Sequence, residues 1–421
     1  MGEALSDAHR LQVARGIRGF AAGLLSIVLG GDLAAGGNPP LFVGAILGLS
    51  VGAGAAWTLA VPALERRGGR RALLRAESFA LVVGGGAIWI GGGSWLLVLL
   101  GVAFGGISAG GADISPLGAL EQAALAESSA EGRRTAEFAR YNLVGYAGLA
   151  LGLLAGASVA ALGSLSGAFP APGTHDLVFL VYAALGASLL IPYATLSVAT
   201  EPPARTPLAS PPPLRPAVRT LAALFALDAF AGGLIPNALV AYLFVLSFHA
   251  TLEVVGFVLF LGTLGAAASL LFAEPLAARF GLVRTMVGSH LPSNVLLIAV
   301  AAAPDLGIAA TLWISRSLLS QIDVPTRQAL TQALVPAGQR AAAAGWTTAA
   351  RSTQAAGAPV SGVLAGLGAG LVAVPFALAG AIKIVYDLIF YARFRSEEVR
   401  ASDLLSSRGP TEDDAPVGSH R

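Results

Sequence analysis

The chain has 421 residues, 55% of them hydrophobic and only 12% charged, with a formal net charge of +2. A soluble globular protein carries roughly 25% charged residues because its surface faces water. A chain with half that share and a mean hydropathy of +0.73 is excluded from that class and reads as a membrane protein. It has no cysteine, which excludes disulfides, thiol catalysis and thiolate metal sites.

The first eighteen residues are charged and polar, without the basic stretch, apolar core and small-residue cleavage site of a signal peptide, so none is expected. A hydrocarbon core about 30 Å thick takes about 20 helical residues. The uncharged runs, split at turn clusters such as Gly36-Gly37-Asn38-Pro39-Pro40 and Gly91-Gly92-Gly93-Ser94, predict helices at 17–36, 41–64, 72–90, 95–118, 137–162 and 176–199. Beyond the proline-rich segment from Glu201 to Pro216, which reads as a linker, further helices are predicted at 218–247, 252–275, 284–303, 306–326, 341–365 and 371–394. The fold class is therefore an all-α membrane protein of twelve transmembrane helices. A polar tail, expected to be disordered, follows from 396 to 421.

Assigning alternate loops to opposite sides sorts the charges. One side receives Arg10, Arg15, Arg66, Arg67, Arg70, Arg71, Arg75, Arg133, Arg134, Arg205, Arg215, Arg219, Arg279, Arg284, Arg327 and Arg340; the other receives only Asp32, Asp176, Glu253 and Asp305. Cytoplasmic loops hold the positive residues, so both termini are expected in the cytoplasm, in the inner membrane of the cell. The pI near 9.1 then reports orientation in the lipid bilayer, and no nucleic-acid partner is expected.

The two ends of the chain look alike. Phe20-Ala21-Ala22-Gly23-Leu24 recurs 210 residues later as Phe230-Ala231-Gly232-Gly233-Leu234, and Asp113, Ala119, Leu120 and Gln122 recur as Asp323, Ala329, Leu330 and Gln332. Two pseudo-symmetric six-helix bundles are expected, 1–200 and 218–395, joined by the linker 201–217. Duplicated halves are a hallmark of transporters that bind substrate between them.

The loop Glu65-Arg66-Arg67-Gly68-Gly69-Arg70-Arg71 resembles the acid-Arg-x-Gly-x-Arg-Arg loop between helices two and three of the major facilitator superfamily, and the resemblance extends to span count, halves and linker. It implies that Glu65, Arg66, Gly68, Arg70 and Arg71 help latch a cytoplasmic gate, with Arg279, Gly281 and Arg284 as the second-half counterpart and Ala278 in place of the acid. Asp113 and Asp323, in the last turns of helices four and ten, are either gate-closing partners or interfacial anchors. Two positions depart from the superfamily's drug/proton antiporters. Gly101 stands where those carry an arginine, and Gly148, Gly152 and Gly156 run without their proline.

Three ionisable residues are predicted deep in the membrane, where each costs about 2.5–3.5 kcal/mol on insertion scales. Asp228 follows Arg219 by nine residues, while Arg316 and Arg351 stand eleven residues from Arg327 and Arg340, about 13–16 Å from the basic edge. The resemblance implies that helices seven, ten and eleven border a central cavity. Asp228 is then the candidate proton-binding group, with Arg316 and Arg351 as substrate and coupling residues. Burial and a neighbouring arginine act on a carboxylate's proton affinity in opposite senses, so substrate binding at either arginine would tip the balance. The alternative is a structural ion pair. Two cations against one acid favour an anionic or zwitterionic substrate.

Tyr141, Asn142, Asn237, Gln321 and Gln354 either line the cavity or bond between helices. Arg18, the counterpart of Asp228, is expected to snorkel to the interface, and His290 to be a satisfied packing residue. The only lysine, Lys383, sits in Ile382-Lys383-Ile384, which excludes a phosphate loop. No histidines pair as an intramembrane hydrolase would need, so no enzyme, cofactor or metal is expected. The expected function is secondary active transport of a small organic solute by a monomer, in the form of proton-coupled export. Uptake symport and a non-transporting sensor on the same scaffold are the alternatives.

Overall fold

In the computed structural model the described residues are 6–35, 67–90, 116–129, 134–165, 174–201, 216–334, 350–367 and 373–406, with Leu100, Thr347 and scattered positions between Phe42 and Glu65. Every regular element among them is helical. Arg66, Asp113, Arg340 and most of the linker and tail lie outside the described residues.

The first half contributes α1 (Asp7–Ala35), α2 (Arg70–Ile90), α3 (Pro116–Ser128), α4 (Arg134–Leu165) and α5 (Thr174–Ala194). Helix α1 starts well before the predicted position 17. The Ser6 hydroxyl accepts the His9 N–H at 3.3 Å, and Asp7 sits in the first turn. An N-cap and an acid at the positive end of the helix dipole extend the helix out of the apolar layer. Helix α3 runs past the predicted end at 118, because the acid that closes the apolar run, Glu121, is paired inside the bundle.

Helices α1 and α4 meet through small residues. A Cβ on Gly19 or Gly23 would run into the backbone of Gly145 or Leu149, and one on Gly148 or Gly152 into the carbonyl oxygen of Gly16 or Phe20. Lipid offers no hydrophobic drive for helix association, so such close approach is where packing energy is found. Gly152→Val is therefore expected to cost about 1–3 kcal/mol or more, read as a lower thermal midpoint and less monodisperse protein. An unchanged midpoint would contradict this packing.

The second half contributes α6 (Pro216–Gly233), α7 (Asn237–Phe248), α8 (Leu252–Ser269), α9 (Ala273–Phe280), α10 (Leu282–Ala301), α11 (Leu306–Ser317), α12 (Asp323–Ala333), α13 (Gly357–Gly366) and α14 (Val374–Ser406). Three predicted helices are broken here. The predicted 218–247 helix bends by 42° between α6 and α7; Pro236 has no N–H and its ring clashes with the preceding turn. The predicted 306–326 helix stops at Ser317 and resumes at Asp323. Arg327, expected in a basic loop, consequently lies inside α12 and is 7% exposed. Within the predicted 341–365 helix, Arg351–Ala356 is a 3-10 segment, a tighter winding that often marks a hinge.

The break in α6–α7 and the 3-10 segment touch. Gly233 packs on the carbonyl of Gln354, and Gly357 on the backbone of Gly233, so neither position has room for a Cβ. Helix α14 continues to Ser406, into the segment expected to be a disordered tail.

Five described helical stretches are each long and apolar enough to cross a membrane, and α6 with α7 make a sixth. The halves meet where α1 packs on α7 and α4 on α8. Gly256, near the start of α8, lies against Ala157 and the carbonyl of Leu153.

Candidate functional site

The second half encloses a polar cluster around Asp228, which is 5% exposed on α6. Its Oδ1 is 2.5 Å from Lys383 Nζ of α14, and its Oδ2 is 3.2 Å from Arg327 Nη1 of α12. Arg351 Nη1 of the 3-10 segment stands 3.8 Å from the same oxygen, too far for a hydrogen bond. His290 Nε2 of α10 is 3.8 Å from Oδ1. Four elements thus converge on the one carboxylate that α6 carries.

The cluster continues in two directions. Arg327 also reaches Asp323 Oδ2 at 3.3 Å and lies over the Phe225 ring at 5.1 Å. His290 Nδ1 is 2.8 Å from Asp387 Oδ1, and Asn294 Nδ2 donates to Asp387 Oδ2 at 2.9 Å. Three carboxylates, Asp228, Asp323 and Asp387, face the basic side chains of Lys383, Arg327 and Arg351, with His290 between two of the acids. A buried charge persists when it is paired and hydrogen-bonded, and this arrangement meets that requirement.

The first half holds a second cluster. Arg18, expected to snorkel, is 9% exposed and donates through Nη2 to Glu121 Oε2 at 2.5 Å and through Nε to both carboxylate oxygens at 3.2 Å. Tyr141 OH donates to Oε2 at 2.6 Å, and Tyr193 OH donates to Oε1. Glu121 is fully buried. Arg18 stays in the interior because this carboxylate compensates it there, at a lower cost than exposing Glu121 to lipid.

The remaining expected residues divide. Tyr141 belongs to the first-half cluster, and Asn142 beside it is half-buried. Gln321 accepts from Tyr146 OH at 2.8 Å, a bond between the two halves. Asn237 opens α7 just beyond the break, and Gln354 is buried against Gly233. Arg351 joins Asp228, but Arg316 does not: it stacks on Trp313, with its guanidinium carbon 5.0 Å from the ring centroid. Equal depth along two helices does not make neighbours. Among the described residues no group of His, Asp and Glu fits a metal ion.

The sequence matches no protein-family model and no curated relative. Solved structures do resemble the chain. A D-xylose–proton symporter is 13% identical and covers 92% of this chain and 98% of its own, with a TM-score of 0.70. The nucleoside transporter NupG is 14% identical, covering 93% and 99%, at 0.63. A bacterial homologue of the human lysosomal transporter Spinster, in an inward-facing and occupied conformation, is 15% identical, covering 96% and 98%, at 0.62. The chain has the major facilitator fold. Twelve helices in two pseudo-symmetric six-helix bundles are the architecture that goes with it, as the sequence predicts.

Within this facilitator fold the Glu65–Arg71 loop is tied to the end of its own half. The Arg70 and Arg71 backbone N–H groups donate to the two carboxylate oxygens of Glu201, at 2.7 and 3.1 Å. Arg70 Nη1 donates to the Thr200 carbonyl at 2.6 Å, while its Nε is 2.5 Å from Glu65 Oε1. Glu201 thereby caps the N-terminus of α2, where free amides and the helix dipole favour an anion. Gly69 turns the chain with φ +78°, and Gly68 is exposed. In the second half Gly281, with φ +87°, separates α9 from α10, Arg279 stacks on Phe280 at 5.3 Å, and Arg284 is exposed. Asp323, expected near the membrane edge, is buried with Arg327.

Lys383, Arg327, Asp387, Arg18, Glu121 and Glu201 are charged residues of these clusters that the sequence did not assign to the site. A signal existed for two of them. Lys383 and Asp387 are four residues apart in one predicted helix, hence on one face, and a lone lysine and an acid in an apolar run invite a buried partner.

Proposed function

We propose that this chain is a secondary transporter that moves a small organic solute by alternating access and couples that movement to protons through the Asp228 network. One observation carries the reading: a single buried carboxylate holds cationic groups from α12, α14 and the 3-10 segment, with His290 of α10 alongside. All of these elements belong to the second half, so the ion pairs rearrange where α6 and the 3-10 segment shift within that bundle, not through rigid rocking of one bundle against the other. A proton that enters the balanced cluster changes which pairs are satisfied. The break at Leu234–Pro236, packed on the 3-10 segment beside Arg351, supplies the local flexibility. Tyr146 and Gln321 bond across the halves and break on opening.

The site binds its solute from the lipid-spanning region with both termini on the arginine-bearing, cytoplasmic side, and the direction proposed is export against incoming protons. Proton symport is the second reading, favoured by the symporter among the similar structures.

The test is flux into proteoliposomes with an internal pH indicator, across a panel of organic solutes. Wild-type protein is expected to change internal pH when its solute is added, with a sign that separates export exchange from symport. The charge-balanced double substitution Asp228→Asn with Lys383→Gln is expected to bind solute without moving protons. Full coupled flux in that variant removes Asp228 from the mechanism.

A further inference from the structure

Among the described charged residues near the membrane centre, one stands apart. Arg18 has Glu121, and Arg327, Arg351 and Lys383 all have Asp228. Arg316 has no carboxylate within 4 Å among the described residues. Its Nε is shut off from solvent and finds no hydrogen-bond acceptor, while the residue as a whole remains partly exposed. It lies ten residues into α11 from Leu306, about 15 Å along the axis.

The guanidinium is held in place. It lies over the Trp313 ring, and that ring is fixed edge-on against Phe244 and Phe376, with centroids 6.2 Å away in each case. The Arg316 carbonyl accepts from Ser293 Oγ at 3.0 Å, and Gly262 of α8 fits against Trp313 and Ser317. A cation at this depth is costly without a counter-ion, and an arginine fork with fixed orientation suits the two oxygens of a carboxylate or the oxygens of a phosphate.

We propose that Arg316 is an anion-binding residue of the transport site and that the substrate is a small organic anion whose negative group supplies the counter-charge Arg316 lacks. The assignment rests on the transporter reading for the word substrate, but the anion site itself does not require transport. Asp228 and its cations then form the coupling element, and Arg316 the recognition element, as two separate places in one half.

The test is thermal unfolding of the purified full chain in detergent, with sodium benzoate or inorganic phosphate as probe, against benzamide and sodium chloride at matched ionic strength. At least one anionic probe is expected to raise the midpoint by about 2 °C or more, and benzamide is expected to leave it unchanged. Arg316→Gln is expected to remove the shift and to match or exceed the wild-type midpoint without ligand, because it deletes an uncompensated charge. Arg316→Lys should keep part of the shift. The proposal is overturned by the absence of any anion-specific shift, by a shift that persists in Arg316→Gln, or by a midpoint for Arg316→Gln several degrees below wild type. No flux or pH gradient enters this measurement, so its failure and the failure of the transporter reading are separate results.

Discussion

Asp228→Asn is expected to lower the stability of the folded chain by about 3–5 kcal/mol, a loss that Lys383→Gln restores in large part when the two are combined. Asp228 is the shared counter-ion of Lys383, Arg327 and Arg351. Without its charge, the described cluster retains Asp323 and Asp387 against Lys383, Arg327 and Arg351, and Lys383 and Arg327 lie in an interior that solvates a charge poorly. Removing one partner of a buried pair is far more damaging than replacing the pair. The double variant, neutral at both positions, again has as many anions as cations. A double-mutant cycle on thermal midpoints therefore should show a coupling of several kcal/mol between positions 228 and 383. Additive effects, or a wild-type midpoint for Asp228→Asn alone, would show that the three cations find other partners.

Glu121→Gln is expected to cost a similar amount, about 3–5 kcal/mol, by the same physics in the other half. Glu121 is fully buried and accepts from Arg18, Tyr141 and Tyr193. Glutamine keeps one acceptor oxygen but leaves the Arg18 guanidinium without compensation. Arg18→Gln in the same chain should recover most of the loss. The two halves differ in what the recovered variants do. The neutralised pair at 18 and 121 is expected to keep coupled flux, since its described charges are one cation matched by one acid. The neutralised pair at 228 and 383 is expected to lose it. Loss of coupling in the first-half double variant would instead give that cluster a share in the mechanism.

The clusters also show how a duplicated fold diverges. Arg18 and Asp228 occupy equivalent positions 210 residues apart, as do Tyr141 and Arg351. In each half a charge on the first helix is buried and meets a charge of opposite sign, Glu121 on α3 in one case and Arg327 on α12 in the other. The sign is exchanged between halves. The first half closes its pair with two tyrosine hydroxyls; the second recruits His290 from α10 and Lys383 and Asp387 from α14.

Composition, charge partition and internal repeat determined a good deal without coordinates. The helical membrane class follows from the cost of exposing polar backbone and charge to lipid, a constraint that acts on every span and so is written along the whole sequence. The two-bundle architecture follows from a repeat at one offset, whereas the depth expected for Arg316 and Arg351 from an unbroken helical rise meets a break between Ser317 and Asp323 and a 3-10 segment at Arg351–Ala356. Tertiary structure decided the rest. Rise gives depth but not azimuth, so only packing could bring Arg351 to Asp228 and leave Arg316 on Trp313 instead. The burial of Arg18, Glu121 and Arg327 in place of snorkelling depends on partners more than ninety residues away in the chain. A charge in an apolar run signals a cost from sequence alone, but which residue offsets it is a property of the folded bundle.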